Sequence, residues 1–417
     1  MLPVNATPYA LPSPSSVCSP ESNGPAAVET TKALPKTSPR PFASADRQQS
    51  AKVKFSRIQA GSVPPITAST AILHLQPEMT QSIADILDIG SLAEFRLVNK
   101  AWAKIGADTV KHIKVNSRED LINALRTYAR GITSLQCLSA GRFIDDDVSK
   151  LAALNKLNLQ NCTDLTNAAL LRLPPTLEEL NLSGCLGLTD AALANLPEKL
   201  PNLKHLEVAG CLRLTNDATA DLPPTLQALN LSGCFSLSDT VLSNLSKKSP
   251  QLIQLELAGC MGLTNAALTY PLPLLEKLNL AGCFSLTQAA LVNLSQGFPK
   301  LKALDLSNGI TFNDVEPLYL PQTLEVLTLN YRVSITDEAL TNMLQRLPKL
   351  RKLDLSHCKG LTDAVLANLP STLQALDLTG CDGFTADGLK NHLRTVQDLD
   401  LSKCRGPDGE SLAGLLK

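Results

Sequence analysis

Leucines recur in a fixed rhythm through the carboxyl-terminal two-thirds of the chain. The string LNLSGCLGLTDAAL from Leu180 returns as LNLSGCFSLSDTVL from Leu229, LELAGCMGLTNAAL from Leu255, LNLAGCFSLTQAAL from Leu278 and LDLSHCKGLTDAVL from Leu353. Leucines one residue apart, such as Leu180 and Leu182, point to the same face of a short strand. The small pair Ser183-Gly184 permits a turn off that strand. The leucine three positions after the cysteine returns the chain to the core, and the following Thr can cap a helix. Asp190, Asp337 and Asp363 then fall in a first helical turn, where the helix dipole favours an anion. The apolar spacing of AALANL (191–196) predicts an outer helix. The position that closes each copy recurs from residue 162 to 358 in alternating steps of 23 and 26, and two further steps of 23 reach 381 and 404. Cysteine holds it throughout except at Gly309 and Arg332. A fixed period of this size predicts a solenoid.

These copies resemble the cysteine-containing class of leucine-rich repeats, whose pattern is close to LxxLxLxxCxxLTDxxLxxL. The resemblance implies an α/β horseshoe with a parallel inner sheet and outer helices over residues 132–417, ending in a carboxyl-terminal cap. PDGESLAGLLK (407–417) reads as a short closing helix. Short links carry LPPTL (173–177, 222–226) or LPSTL (369–373), and long links carry forms such as LPEKLPNL (196–203). Three extra residues are nearly one helical turn, so the outer helices should alternate in length.

Residues 1–68 are rich in Pro, Ser, Ala and Thr, with few acids, and read as a disordered tail. The tail lacks the apolar core of a secretory signal. Its composition resembles the signals of bacterial type III effectors and of organelle transit peptides. Residues 69–115 change character, with Ile83, Ile86 and Leu87 and then Leu92, Phe95, Val98 and Trp102 at helical spacing. The plain reading is a helical cap over the first rung. Residues 116–131 read as a linker helix stopped at Gly131.

ILHLQPEMTQSIADILDIGSLAEFRLVNKAWAKI (72–105) also resembles an F-box. Leu75 and Glu78 keep the LPxE spacing, with the proline shifted to Pro77. Ile83 and Leu87 hold the next apolar positions, Asp88 completes a Leu-Asp pair, Leu92 follows, and Arg96, Leu97, Val98 and Trp102 match the family's RLVxxxW ending. The resemblance implies docking on the Skp-family adaptor of a cullin–RING ubiquitin ligase through Leu75, Pro77, Glu78, Ile83, Leu87, Leu92, Leu97, Val98 and Trp102.

Two rows offer candidate target contacts. The residue between the strand leucines turns acidic along the array: Asn158, Asn181, Glu207, Asn230, Glu256, Asn279, Asp305, Thr328, Asp354, Asp377 and Asp400. This row either meets a basic segment or is merely solvated. The residue after each closing position is apolar over seven rungs: Leu186, Leu212, Phe235, Met261, Phe284, Ile310 and Val333. At about 4.8 Å per rung this makes a stripe roughly 30 Å long, which is a binding patch if exposed and core if tucked between loops. Asn308, Ile310, Phe312, Tyr331 and Arg332, around the two rungs without cysteine, mark a further recognition spot or simple drift.

Hydrophobic residues make up 44% and aromatics 4% of the chain, and the net charge is −1, so nothing in the balance points to nucleic acid or membrane. The ladder cysteines lack the spacing of a disulfide framework or a zinc site, and read as small buried groups in a reducing compartment, with Cys137 at a core position. Neither a metal nor a cofactor is expected, and no phosphate loop, HExxH or GxSxG motif occurs. The expected function is non-enzymatic: a monomer that docks a ligase through one module and a target protein through the other, in the cytoplasm or nucleus of a eukaryotic cell. The alternative is a plain repeat scaffold or decoy. LPPTLEELNLSGC (173–185) resembles the repeats of bacterial effectors, which with the tail points to an effector of plant-associated bacteria acting in a host.

Overall fold

A computed structural model describes residues 112–115, 132–137, 154–309, 320–331, 335–393 and 396–415. These form a leucine-rich-repeat solenoid. Its thirteen strands make one parallel sheet in strict chain order, from β1 (His112–Val115), β2 (Ser134–Cys137) and β3 (Lys156–Asn158) to β13 (Asp398–Asp400). Among the described residues the sheet reaches one rung before Ile132, because β1 pairs with β2 in register. The tail, the F-box-like stretch and most of the linker segment lie outside the described residues.

In the three-residue strands the central leucine faces inward. Leu157, Leu180, Leu206, Leu229, Leu255 and Leu278 sit opposite one another in register and are buried. The second strand leucine, the closing cysteine and the leucine after it are buried behind them, so each rung contributes the same inward set to one continuous core. Burial of a leucine contributes about 1.5–3 kcal/mol, and a rung alone has no second face to bury it against.

The buried cysteines do more than fill space. The thiols of Cys185, Cys211 and Cys283 donate to the carbonyl oxygens of Leu159, Leu182 and Leu257 at 3.2–3.3 Å, each one rung back. Cys234, Cys260, Cys358 and Cys381 repeat the contact. All nine ladder cysteines are free and buried. Burial pushes the thiols of Cys185, Cys234, Cys283 and Cys381 up to about 12, which suppresses the thiolate.

Outer helices follow the link lengths. Links of 26 carry Thr240–Lys248, Asp337–Leu344, or two successive turns such as Asp190–Leu193 and Leu196–Lys199. Links of 23 carry single turns such as Asn167–Leu170 and Asp363–Leu366. The last short link is the exception, with a seven-residue helix at Ala386–His392. The LPxTL phrase has its own cause: the hydroxyls of Thr176, Thr225, Thr323 and Thr372 donate to the carbonyls of Leu154, Leu203, Leu301 and Leu350 at 2.6–2.8 Å, bracing each short rung to the one before.

The residues that open the outer turns form a second ladder. Asp190 accepts from the N–H and the hydroxyl of Thr215 on the next rung at 2.7 and 2.8 Å, and Asp239 holds Thr264 in the same way. Asp337 and Asp363 hold Thr362 and Thr385. Asp190, Asp337 and Asp363 lie in the first turn as expected, and Asp239 precedes its helix; all four carboxylates clamp rungs. Asn167, Asn216 and Asn265 likewise accept the N–H of Thr189, Ser238 and Thr287, but their amide nitrogen donates to the hydroxyl instead of accepting from it. A hydroxyl that gives its proton to Asp turns its lone pairs to its own helix. Thr215, Thr264, Thr362 and Thr385 accordingly accept a helix N–H, whereas Thr189 and Thr287 make no side-chain cap.

The chain does not end in the expected helix. Asp408 accepts the N–H of Glu410, Gly409 turns at φ 83°, and Arg405 bridges antiparallel to Ser411, so a hairpin-like turn covers the last rung.

Gly388 lies in the first turn of Ala386–His392, where Ala ordinarily stabilises a helix by about 1 kcal/mol. A Cβ there would fall 2.1 Å from Cγ of Asp363, pushing that carboxylate off Thr385. Gly388→Ala is therefore expected to lower the urea midpoint, with Asp363→Ala giving a similar loss of about 1 kcal/mol. A raised midpoint in Gly388→Ala would contradict the clamp.

Candidate protein-binding face

Two surfaces flank the strands. The concave face is built from the residues on either side of each central leucine, and over β2–β3 and the next four strands it forms a groove of about 450 Å³. Its floor is polar: Lys156 meets Glu179 at 2.6 Å, and His205 Nδ1 lies 3.6 Å from the same carboxylate. Lys204–Glu178 and Lys302–Glu276 pair just before the strands, outside the groove lining. These pairs are partly exposed, and each contributes little to stability.

The acidic row has a local task. Asn158, Asn181, Asn230 and Asn279 accept the N–H two residues on, closing the turn that leaves the strand. Asp305, Asp354, Asp377 and Asp400 do the same at 2.8–2.9 Å. The change from Asn to Asp along the array keeps one acceptor in place and adds charge on the concave side. Asp400 is held below the usual carboxylate range by its bonds to Ser402. Glu207 and Glu256 are too long for this turn. Glu207 instead accepts from Asn181 at 3.0 Å, and Glu256 from Gln254 at 3.0 Å. Burial raises the carboxyls of both.

The apolar row is open. Leu186 is 47% exposed, Phe235 53% and Phe284 56%, and Leu212 and Met261 lie between them in the same state. Five successive rungs thus carry a large apolar side chain on one edge, spanning about 19 Å at the strand repeat. Ile310, Phe312, Arg332 and Val333 lie outside the described residues, as do Leu75, Pro77, Glu78, Ile83, Leu87, Leu92, Leu97, Val98 and Trp102. Beyond Phe284 the edge changes: Tyr331 is 57% exposed and stacks on His357, and Lys359 pairs with Asp382 at 2.6 Å. Sequence reasoning placed Tyr331 at an irregular rung but missed His357, whose only signal was a bulky residue where most rungs have glycine.

Among the described residues no three His, Cys, Asp or Glu side chains gather into a metal-ligating group, and no helix is long and apolar enough to cross a membrane.

Residues 346–364 and 370–391 match the family model described as leucine rich repeat. Comparison with curated proteins finds no match. Solved structures similar to this chain include the yeast Rad7 and Elc1 complex, at TM-score 0.43 and 18% identity over 75% of this chain and 85% of that one. The mouse RP105/MD-1 complex is similar at TM-score 0.46 and 18% identity over 72% of this chain. The Drosophila Toll–Spatzle complex is similar at TM-score 0.45 and 16% identity over 71%. The chain spans 60% of the matched RP105/MD-1 chain and 40% of the matched Toll–Spatzle chain.

The raised carboxyl of Glu256 gives a test of the groove's polarity. Burial makes its charged form less favourable in the fold than in the unfolded chain, so stability is lost at neutral pH and regained as pH falls through the raised value. Glu256→Gln, which keeps the acceptor for Gln254, should raise the melting temperature at pH 7. The gain should shrink as pH is lowered through the carboxyl range, and a gain independent of pH would contradict this reading.

The described residues thus build a leucine-rich-repeat solenoid with a ladder of buried cysteines, a concave groove and an open apolar edge.

Proposed function

We propose that this protein is the substrate-recognition subunit of a cullin–RING ubiquitin ligase. The F-box-like stretch docks the Skp-family adaptor, and the solenoid holds the target. The observation that carries target binding is the apolar edge, where Leu186, Leu212, Phe235, Met261 and Phe284 stay open to solvent on five successive rungs. Single exposed apolar residues are ordinary on protein surfaces, but a contiguous row is characteristic of an interaction site. Adaptor docking is supported by the sequence of residues 75–102 alone. Catalysis is by proximity, because holding a target near the ligase raises the effective concentration of its lysines. The chain itself contributes no chemical step.

The nine free buried thiols suit a reducing compartment. With the Ser/Pro-rich tail and the LPPTL phrasing, this supports action inside a eukaryotic cell, as an effector delivered by a plant-associated bacterium. The second reading, a scaffold or decoy without a ligase, is favoured by the same edge, which needs no adaptor to bind a partner.

Full-length protein should retain purified Skp-family adaptor in a pull-down, and the double change Leu92→Ala and Val98→Ala should abolish retention while circular dichroism shows the solenoid still folded. No retention of adaptor by the wild type at tens of micromolar would leave the scaffold reading in its place.

A further inference from the structure

The open row from Leu186 to Phe284 runs beside a second feature on the same five rungs. Two residues before each of these side chains stands glycine, at 184, 210, 233, 259 and 282, and each glycine follows Ser or Ala. The turn off the sheet takes φ between 68° and 73° there, which favours glycine. What the turn leaves is a shelf without large side chains. A Cβ on Gly233 or Gly282 would fall 3.7 or 3.6 Å from the Cα of Gly210 or Gly259, so neighbouring turns stack backbone on backbone. Asparagine takes the place of glycine on the rungs before and after, at Asn161 and Asn308, so the shelf is as long as the open row. The row borders the shelf as a ridge: Cε1 of Phe235 lies 4.0 Å from a Cβ placed on Gly259, one rung on. Residues 154–309 are described without a break, so the rungs on both sides of Leu186, Leu212, Phe235 and Met261 are in place.

Size and pitch select what fits. Five large side chains, each about half exposed, present about 500 Å² at roughly 200 Å² for a whole one. That is below the roughly 800 Å² that each partner of a stable dimer buries, so a second copy of this chain would be poorly held. A helix with its side chains is about 10 Å across and covers such a strip. It advances about 5.4 Å per turn against about 4.8 Å per rung, so one apolar stripe meets the ridge once per turn and drifts by about half a rung over five. Alternate residues of an extended segment advance about 6.7 Å and are more than half a rung out of step after two. A shelf without large side chains also lets a helix backbone come close.

Charge selects the flanks. The loops that carry the ridge (186–190, 212–217, 235–239, 261–265 and 284–288) hold three acids, Asp190, Asp217 and Asp239, and one base, Arg213. The carboxylates of Asp190 and Asp239 accept the N–H of Thr215 and Thr264 at 2.7 Å, three residues past Leu212 and Met261, which places them on the outer border. On the concave border Glu207 accepts from Asn181 at 3.0 Å, and Asn181 closes the turn at Ser183, beside Gly184. The concave bases are already engaged: Lys156 and Lys204 pair with Glu179 and Glu178, and Lys277 acts on Glu256. We propose that ridge and shelf together seat an amphipathic α-helix of the target, with one apolar stripe against the ridge and Lys or Arg along both flanks. This rests on the reading of the solenoid as a target-binding face. Apolar anchors supply the affinity, and the charges set the orientation.

Three labelled peptides of about 18 residues, five helical turns, test the seat by fluorescence anisotropy on the full-length protein. One carries a leucine stripe at helical spacing flanked by Lys, one the same stripe flanked by Glu, and one the composition of the first with Leu and Lys alternating. The Lys-flanked helix should bind about tenfold more tightly than either of the others. Its affinity should fall about tenfold in Phe235→Ser, which removes an anchor, and in Ala258→Gln, which fills the shelf. Both variants should keep the melting temperature of the wild type, because both positions lie outside the buried core. Equal binding of the Glu-flanked peptide would overturn the basic flanks, and binding unchanged in Phe235→Ser or Ala258→Gln would overturn the seat. Equal binding of the alternating peptide, or a dimer in sedimentation that Phe235→Ser dissolves, would overturn the helix and leave the edge as a protein-binding surface. Binding of none of the three would count against the edge itself, independently of the adaptor pull-down.

Discussion

Everything in this molecule depends on in-register stacking of parallel strands at the backbone hydrogen-bond spacing. A rung is about 4.8 Å thick and has neighbours on both sides, so any group it sends inward must fit against the same group from the rungs before and after. That constraint explains why the inward set repeats so closely. Leucine fills the central strand position, and cysteine closes the bend because it is small enough to be buried while its S–H reaches the preceding rung's carbonyl. It also explains why polar side chains near the core are used as rung-to-rung braces. The Asn/Asp clamps, the LPxTL threonines and the Asx turns each satisfy a group that the short strands leave without a ladder partner.

The same constraint frees the outward positions. A side chain at the residue after the cysteine lies about half exposed at the loop edge, outside the buried leucine and cysteine set, so the array constrains it less. That five rungs nevertheless place Leu, Leu, Phe, Met and Phe there is a property of the surface, not of the scaffold. The acidic row is different. Its aspartates each commit an oxygen to closing a turn, and what they add to the concave side is their charge. Of the two candidate rows, the apolar edge is therefore the stronger candidate for the proposed interaction surface. The concave groove carries the Lys156–Glu179 pair beside it, and in the proposed complex such polar contacts would favour orientation over affinity.

The rungs without a closing cysteine mark where the array changes character. On one side lie glycine turns and open apolar residues. On the other, Tyr331 and His357 occupy turns that glycine would relieve, and an ion pair replaces the apolar row at Lys359 and Asp382. A repeat protein can change its surface in this abrupt way because each rung contacts only its neighbours. The change costs local strain but leaves the leucine core continuous, since Leu304, Leu327 and Leu353 still align across these rungs.

The sequence by itself determined the solenoid, the strand register, the buried cysteines and the alternation of outer helices. Periodicity of 23 and 26 residues forces equivalent positions together whatever the detailed geometry, and the leucine spacing sets which face is inside. It also showed in full the residues of the F-box-like stretch, whose resemblance is a matter of sequence. Only the tertiary structure decided that the row from Leu186 to Phe284 is open, because exposure at a loop edge depends on how neighbouring turns pack and not on period. Only the structure revealed the reciprocal Asp–Thr and Asn–Thr clamps, the turn that replaces the expected closing helix, and the stack of Tyr331 on His357. Each of these joins residues on separate rungs or departs from local propensity, and the physics that fixes it lies between turns of the chain, not along it.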